Sequence, residues 1–306
     1  MAKRLIYFDT TIWNVLSEQN PAAAGLCQGL AEGDLVIALG LNAYFEMLRS
    51  FYGKRPDAGK RLFACLQQFL SSGVRIIRTW EELLIQEAKN VLENTAAVDL
   101  FLDADWHDRL LLASRDLSSG HPHSGTRELT SKRQGQSESV RSSAVQHIFN
   151  QPYMVSDLRS VDPANLSQFL DKESRGITGR RLLAKYLSDI FPMFDLKLPL
   201  APEELAVKLL ESTSNSVAHA IVRSDIYQNR RAARGNTVRT CVPDDSYHVV
   251  NASYCKVFVT EDRDGQGDAA KYAIPGIRVL IYGNRAIPVA EWLLESLSLQ
   301  HESASL

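Results

Sequence analysis

Acidic side chains follow two short apolar runs that lie at opposite ends of the chain. Asp9 comes directly after residues 5–8, and Asp262 follows residues 256–259. Both runs are rich in β-branched or aromatic residues, which is typical of buried strands. Because ligands bind beyond the carboxyl ends of the strands in an open parallel sheet, we expect the two carboxylates to face one site.

Two further acids join this candidate site. Glu46 lies on a predicted helix just after the apolar run 35–39, and Asp245 opens the helix-like stretch 245–252. Four carboxylates at one edge of a sheet repel one another, and a hard divalent cation is the usual reason for such a cluster. The sequence therefore predicts an acidic site for Mg²⁺ or Mn²⁺ formed by Asp9, Glu46, Asp245 and Asp262.

The bulk composition limits the class of protein. The chain has 306 residues, 45% of them hydrophobic, and a formal net charge of -2, so a globally basic nucleic-acid coat is excluded. Its four cysteines are far apart and form no metal-binding pair, and we expect them to be reduced. No run is long enough for a signal peptide or a membrane span. These features predict a cytoplasmic protein.

Strand and helix signals alternate near both ends of the chain, which predicts an α/β fold with a mostly parallel sheet. We expect residues 1–100 and 235–300 to form one discontinuous domain. Residues 100–235 read as an α-helical insertion, and the Ser- and Gly-rich segment 114–144 within it is expected to be a mobile loop.

The order of the acidic motifs resembles that of the PIN domain family of nucleases. The motifs that carry the resemblance are, in chain order, Phe8-Asp9-Thr10-Thr11, Glu46, Asp245 with Ala252 seven residues later, and Phe258-Val259-Thr260-Glu261-Asp262. The matching segments are about residues 3–55 and 240–300. The long insertion departs from the family's usual small size and leaves the substrate and regulation open.

The resemblance implies a PIN-like parallel β-sheet sandwiched by helices, and metal-dependent hydrolysis of phosphodiester bonds, usually in RNA. Mg²⁺ and Mn²⁺ prefer oxygen ligands, and a bound ion lowers the pKa of a water molecule that attacks the phosphate. On this hypothesis Asp9 and Asp245 contact the metal directly, while Glu46 and Asp262 hold metal-bound waters or a second ion. We expect hydroxyl groups beside them to orient the carboxylates, namely those of Thr10 and Thr260.

Ordinary structural roles remain open for the first two acids. Asp9 is also well placed to be the N-cap of the helix that follows it, with Thr10 and Thr11 as other possible caps. Glu46 lies among the apolar neighbours of an ordinary amphipathic helix, so a plain surface position is its alternative.

The later acids have close competitors. Asp244 and Asp245 are adjacent, and one of them is expected to cap the helix, with Asp244 favoured. Asp264 competes with Asp262, because Asp- and Gly-rich turns often follow strands for conformational reasons alone. His248, one helical turn after Asp245, is more typical of a packed or hydrogen-bonded histidine than of a metal ligand.

A run of arginines precedes the third acidic motif. Arginine at this density beside an acidic metal site indicates a rim that holds phosphates, and a solvated helix face is the equal alternative. The candidate substrate-binding residues are Arg230, Arg231, Arg234 and Arg239. A second basic run at residues 172–185 is interrupted by acids, which favours a solvated face there.

Two classes of function follow. The first is an Mg²⁺- or Mn²⁺-dependent endoribonuclease with RNA as its partner; its role as a toxin, a defence effector or a processing enzyme is left open, as are a homodimer and an inhibitor or defence partner. The second is a non-catalytic PIN-like module that binds RNA or protein. A phosphatase of the haloacid-dehalogenase type is disfavoured, because Thr11 stands where its second Asp would be.

Overall fold

The protein has an α/β fold built on one parallel sheet. The structure, a computed structural model, describes residues 4–52, 56–95, 97–120, 161–212, 216–233 and 242–303. Within these residues, five strands run in parallel in the order β3-β2-β1-β4-β5. The strands are β1 (Arg4–Phe8), β2 (Leu35–Gly40), β3 (Arg75–Ile77), β4 (Val257–Thr260) and β5 (Arg278–Ile281).

Helices connect and cover the strands. In chain order they are α1 (Thr10–Gln19), α2 (Ala23–Glu32), α3 (Leu41–Tyr52), α4 (Pro56–Ser71), α5 (Trp80–Glu93), α6 (Ala104–Ser119), α7 (Leu166–Arg175), α8 (Ile177–Met193), α9 (Pro202–Glu211), α10 (Ser216–Ala233), α11 (Val242–Asn251), α12 (Asp268–Ala273) and α13 (Val289–Ser303). The prediction of a parallel sheet flanked by helices is therefore confirmed.

The central strands are buried on both faces because their side chains alternate between two hydrophobic cores. Tyr7 and Phe258 point into a core shared with α5 and α7–α12. Phe8 and Val259 point into the opposite core, which is shared with α1–α4, α6 and α13. Two-sided burial explains why the sequence shows continuous apolar runs here in place of an alternating pattern.

The described helices of the predicted insertion belong to the layers of the sheet. Helices α7–α10 cover one face and contribute to the same core as β1 and β4. Helix α6 packs on the other face, where Leu110 and Leu117 are buried. In its described parts this segment forms helices that supply much of the cover of the sheet.

Local boundaries differ from the predictions in two places. Helix α2 lies in a segment for which the sequence analysis predicted no element. Helix α6 continues to Ser119, so the first six residues of the predicted loop 114–144 are helical; Ser114 and Leu117 are fully buried, and this packing outweighs the polar composition. The rest of that loop, from residue 121, lies outside the described residues.

The state of the cysteines and the character of the helices are the features that relate to the predicted cytoplasmic location. Cys27, Cys65 and Cys255 are free thiols, as predicted, and burial raises the pKa of Cys65 to about 12. Cys241 lies outside the described residues. None of the described helices has the length and apolar character needed to cross a bilayer. The cytoplasmic location stays a prediction.

Candidate functional site

The order of the strands creates a switch point between β1 and β4. From β1 the chain continues through β2 and β3 on one side, whereas β4 continues to β5 on the other. In open parallel sheets, ligands bind in the crevice beyond the carboxyl ends of the two strands at such a point. Asp9 follows the end of β1, and Thr260 is the last residue of β4. This crevice is therefore the candidate site.

The Asp9 carboxylate is fully buried and accepts three hydrogen bonds. Its Oδ1 accepts from the Ile12 backbone N–H at 3.0 Å and from the Thr11 hydroxyl at 2.7 Å, and its Oδ2 accepts from the Thr260 hydroxyl at 2.5 Å. The bond from Ile12 makes Asp9 the N-cap of α1, so it has the structural role as well as its place at the crevice. Thr260 makes the contact expected of it, whereas Thr11, in place of Thr10, makes the other.

The same two hydroxyl groups hold the turn after β4. The Thr11 hydroxyl accepts from the Glu261 N–H at 3.2 Å, and the Thr260 hydroxyl accepts from the Asp262 N–H at 2.9 Å. Each hydroxyl therefore donates to Asp9 and accepts from the backbone of the turn. This network joins residues from opposite ends of the chain and fixes the position of the carboxylate at the switch point.

Burial raises the pKa of Asp9 from 3.8 to about 6. The hydrogen bonds from Thr260, Thr11 and Ile12, and the nearby His248, lower it in part. A carboxylate in a buried position is more stable in its charged form when a cation lies beside it. Asp9 is thus a buried acid whose charge would be stabilised by a bound cation.

Glu46 is held by His248, which lies on the facing helix α11. The Nε2 atom of His248 is 2.5 Å from Oε2 of Glu46, and its Nδ1 atom is 3.0 Å from the Tyr7 hydroxyl. Because a carboxylate only accepts, Nε2–H donates to Glu46. Burial raises the pKa of Tyr7 well above its usual value, so the Tyr7 hydroxyl stays neutral. His248 therefore orients Glu46, which agrees with the prediction of a hydrogen-bonded histidine.

Asp262 holds the turn that follows β4. Its Oδ1 accepts from the Gly265 N–H at 2.9 Å, and its Oδ2 accepts from the Gln266 N–H at 3.3 Å. A Cβ atom added to Gly265 would lie 1.9 Å from Oδ2 of Asp262, so this close approach requires glycine. Asp264 is exposed on the same turn. The conformational role that the sequence analysis weighed for these acids is observed for Asp262.

Asp244 and Asp245 lie in the first turn of α11, which begins at Val242. Their side chains are outside the described part of the structure. Carboxylates in the first turn of a helix are stabilised by the positive end of the helix dipole. Since the same helix carries His248, which contacts Glu46, the backbone of α11 runs close to the crevice. Asp245 stays the predicted third acid of the site.

Two of the four predicted rim arginines, Arg230 and Arg231, lie among the described residues. Arg230 is 5% exposed and donates to the Val161 carbonyl at 2.8 Å, which is a structural contact. Arg231 is half-buried, and its charge acts on the half-buried carboxyl of Asp268, whose pKa is raised chiefly by burial. Arg234 and Arg239 lie outside the described residues. Of the four, Arg231 is the one that the structure places near the acidic turn.

Gly40 and Asn251, which were not among the predicted site residues, lie beside Tyr7 at the carboxyl end of β2. A Cβ atom on Gly40, the last residue of β2, would lie 2.4 Å from the Tyr7 hydroxyl oxygen and 3.0 Å from Nδ2 of Asn251. Gly40 therefore permits Tyr7 and Asn251 to approach the end of β2. A glycine that ends a strand beside a candidate site was the signal available in the sequence.

A further buried acid, Glu81, follows the carboxyl end of β3. It is 5% exposed, and its Oε2 atom has no hydrogen-bond partner among the described residues. Burial raises its pKa to about 7. Glu81 carries no distinctive sequence signal, because it lies in the first turn of α5, where an acid is expected beside the Thr79–Glu82 capping box.

The described carboxylates do not form a metal site by themselves. Among the residues that the structure describes, no group of three or more His, Cys, Asp or Glu side chains is arranged to hold a metal ion. Glu46 is bonded to His248, and both oxygens of Asp262 accept backbone hydrogen bonds. An Mg²⁺ or Mn²⁺ site at this crevice would need Asp245 as a ligand beside Asp9.

Comparison of the chain with protein-family models, with curated proteins and with solved structures found no match.

Proposed function

We propose that this chain is a PIN-like, Mg²⁺- or Mn²⁺-dependent endoribonuclease whose site lies at the β1/β4 switch point. The observation that carries the proposal is the Asp9 carboxylate, which is buried at the carboxyl end of β1 and bonded to Thr260 at the end of β4. A buried acid at the place where open parallel sheets bind their ligands fits a cation site better than it fits a simple helix cap.

The chain's own groups have distinct roles in this proposal. Asp9 and Asp245 would bind the cation, and Thr11 and Thr260 keep the Asp9 carboxylate in one orientation. His248 positions Glu46 at the rim of the same crevice.

Phosphate groups would be bound by cationic side chains beside the acidic turn that follows β4. Arg231 on α10 and Lys271 on α12 both act on Asp268, which lies beside the turn that carries Asp262 and Asp264. Positive side chains around an acidic crevice reduce the repulsion that a polyanion would meet there. RNA is the proposed substrate on the strength of the family resemblance.

The test is cleavage of labelled single-stranded RNA and DNA in the presence of Mn²⁺ or of EDTA. We expect RNA cleavage with Mn²⁺ and none with EDTA. Asp9→Asn and Asp245→Asn should each abolish cleavage while the fold is retained. The matched control is Asp34→Asn, the same chemical change at the opposite edge of the sheet; asparagine tolerates the left-handed conformation of that residue (φ 58°). Undiminished cleavage by Asp245→Asn would contradict the proposed site.

A non-catalytic PIN-like module that binds RNA or protein is the second candidate. It is favoured by the engagement of Glu46 with His248 and of Asp262 with its own turn, since both carboxylates already have partners. On this hypothesis the chain binds RNA but does not cleave it in the presence of any divalent metal ion. RNA binding by the wild-type chain without cleavage in Mn²⁺ would favour this candidate, whereas Mn²⁺-dependent cleavage that Asp9→Asn abolishes would favour the nuclease.

A further inference from the structure

A cavity of about 690 Å³ lies at the amino edge of the sheet, opposite the candidate nuclease site. It is bounded by the starts of β1, β4 and β5, by the end of α2 and by α13. Its size falls within the ~300–1,000 Å³ typical of pockets for small molecules. Leu30, Leu35, Leu294 and Leu297 supply apolar walls.

Three cationic residues at the starts of neighbouring strands line this cavity: Arg4, Lys256 and Arg278. The backbone brings them together, because the Lys256 N–H donates to the Leu5 carbonyl at 2.9 Å and the Arg278 N–H donates to the Lys256 carbonyl at 2.9 Å. Adjacent strands lie about 4.8 Å apart, so three positive charges are concentrated at this edge of the sheet.

The three cations have little counter-charge. In the part of the chain that the structure describes, neither arginine nor Lys256 makes an ion pair, and Glu32 is the one acid that lines the cavity. Arg4 donates to the Gly33 carbonyl at 2.9 Å and Arg278 to the Ser296 carbonyl at 2.6 Å. A guanidinium has five N–H donors, so each keeps donors for a ligand.

We propose that this cavity binds a small phosphate-bearing organic anion of mononucleotide size. The arginine forks and the lysine match the charge and the oxygen geometry of a phosphate, and the leucine walls match an apolar or planar body. A bound dianion would offset the three positive charges. The site lies at the opposite edge of the sheet from Asp9 and does not depend on the proposed nuclease activity.

Calorimetric titration of the full chain in EDTA at low ionic strength tests the proposal, with AMP, inorganic phosphate and adenosine as separate probes. We expect saturable binding of AMP, weaker binding of phosphate and none of adenosine. Lys256→Gln should weaken AMP binding by about tenfold or more, since a charge-assisted hydrogen bond is lost. This variant is chosen first because the exposed Lys256 side chain makes no hydrogen bond with the described residues, so the fold does not rely on it.

One control variant locates the binding. Lys208→Gln removes an exposed lysine on α9 that does not line the cavity, and it should leave AMP affinity unchanged. An AMP affinity that Lys256→Gln leaves unchanged, or no saturable AMP binding, would overturn the proposal. If inorganic phosphate binds as tightly as AMP, the leucine walls do not contact the organic part of the ligand, and that part of the proposal is wrong.

Discussion

The buried charge of Asp9 makes a quantitative prediction about stability and pH. The perturbation is Asp9→Asn, studied in EDTA so that no divalent cation contributes. Asparagine keeps an oxygen that accepts from Ile12 and Thr11, and its amide can donate to the Thr260 hydroxyl, so we expect the fold to be retained.

The magnitude follows from the pKa of Asp9, which burial raises from 3.8 to about 6. Below pH 3.8 both the folded and the unfolded chain hold the proton. As the pH rises, the unfolded chain loses it first, so the free energy of unfolding falls until the folded state is also ionised. At ~1.4 kcal/mol per unit of pKa, the full loss is about 3 kcal/mol, of which about 1.4 kcal/mol falls between about pH 5 and about pH 8.

The assay is urea denaturation of the wild-type chain and of Asp9→Asn at several pH values across that window. The other buried acids with raised pKa values, Glu81, Glu87 and Asp225, are common to both proteins and cancel in the difference. The difference in free energy of unfolding should move by about 1.4 kcal/mol in favour of the variant as the pH rises. If the free energies of unfolding of the two proteins change in parallel with pH, the pKa of Asp9 is not raised in the folded state.

Adding Mn²⁺ extends the same experiment to the proposed metal site. A ligand that binds only the folded state raises its stability. If Asp9 binds the ion, Mn²⁺ should stabilise the wild-type chain at about pH 8 and have a much smaller effect on Asp9→Asn. Equal stabilisation of both proteins would place the ion elsewhere.

Three further outcomes are expected. Glu87→Gln should lower the free energy of unfolding by about 1–3 kcal/mol in urea denaturation, because the amide nitrogen cannot accept the 2.9 Å hydrogen bond from the Ala218 N–H at the start of α10. Gly265→Ala should destabilise the fold by about 1–3 kcal/mol in the same assay, because the new methyl group would collide with Asp262. Arg231→Gln should weaken RNA binding and reduce the dependence of log affinity on log salt by about 0.7 if the arginine contacts one phosphate.

Each of these variants has a matched control in the chain. Glu93→Gln changes an exposed glutamate at the end of α5, and Gly283→Ala adds a methyl group where nothing lies within 4 Å. Lys208→Gln removes an exposed charge on α9, outside the acidic turn. A control as destabilised as its partner variant would refute the specific contact, and an unchanged salt slope for Arg231→Gln would assign that arginine to structure.

The central strands could be predicted because their physical signal is local. The apolar runs before Asp9 and Asp262 are short, β-branched and aromatic, and burial on both faces requires no alternation with polar residues. Helix α2 was missed, since its run of alanines and glycines between Pro21 and Gly33 resembles a punctuated connection.

The partners of the site residues could not be predicted, because they come from distant segments. His248 meets Glu46 across 202 positions of sequence, and Thr260 meets Asp9 across 251. Arg230 donates to the Val161 carbonyl, 69 positions away, and no local pattern encodes that contact. Thr11, and not Thr10, donates to Asp9, and its hydroxyl also meets the Glu261 N–H from the other end of the chain.

The sequence alone determined the parallel α/β class, the strands that end at the crevice and the acids that follow them, because apolar runs and their terminal residues are local properties of the chain. Tertiary structure decided which groups surround each acid. The strand order brings the two ends of the chain together, burial of the Asp9 carboxylate raises its pKa, and the cavity formed by Arg4, Lys256 and Arg278 exists only once three strands lie side by side.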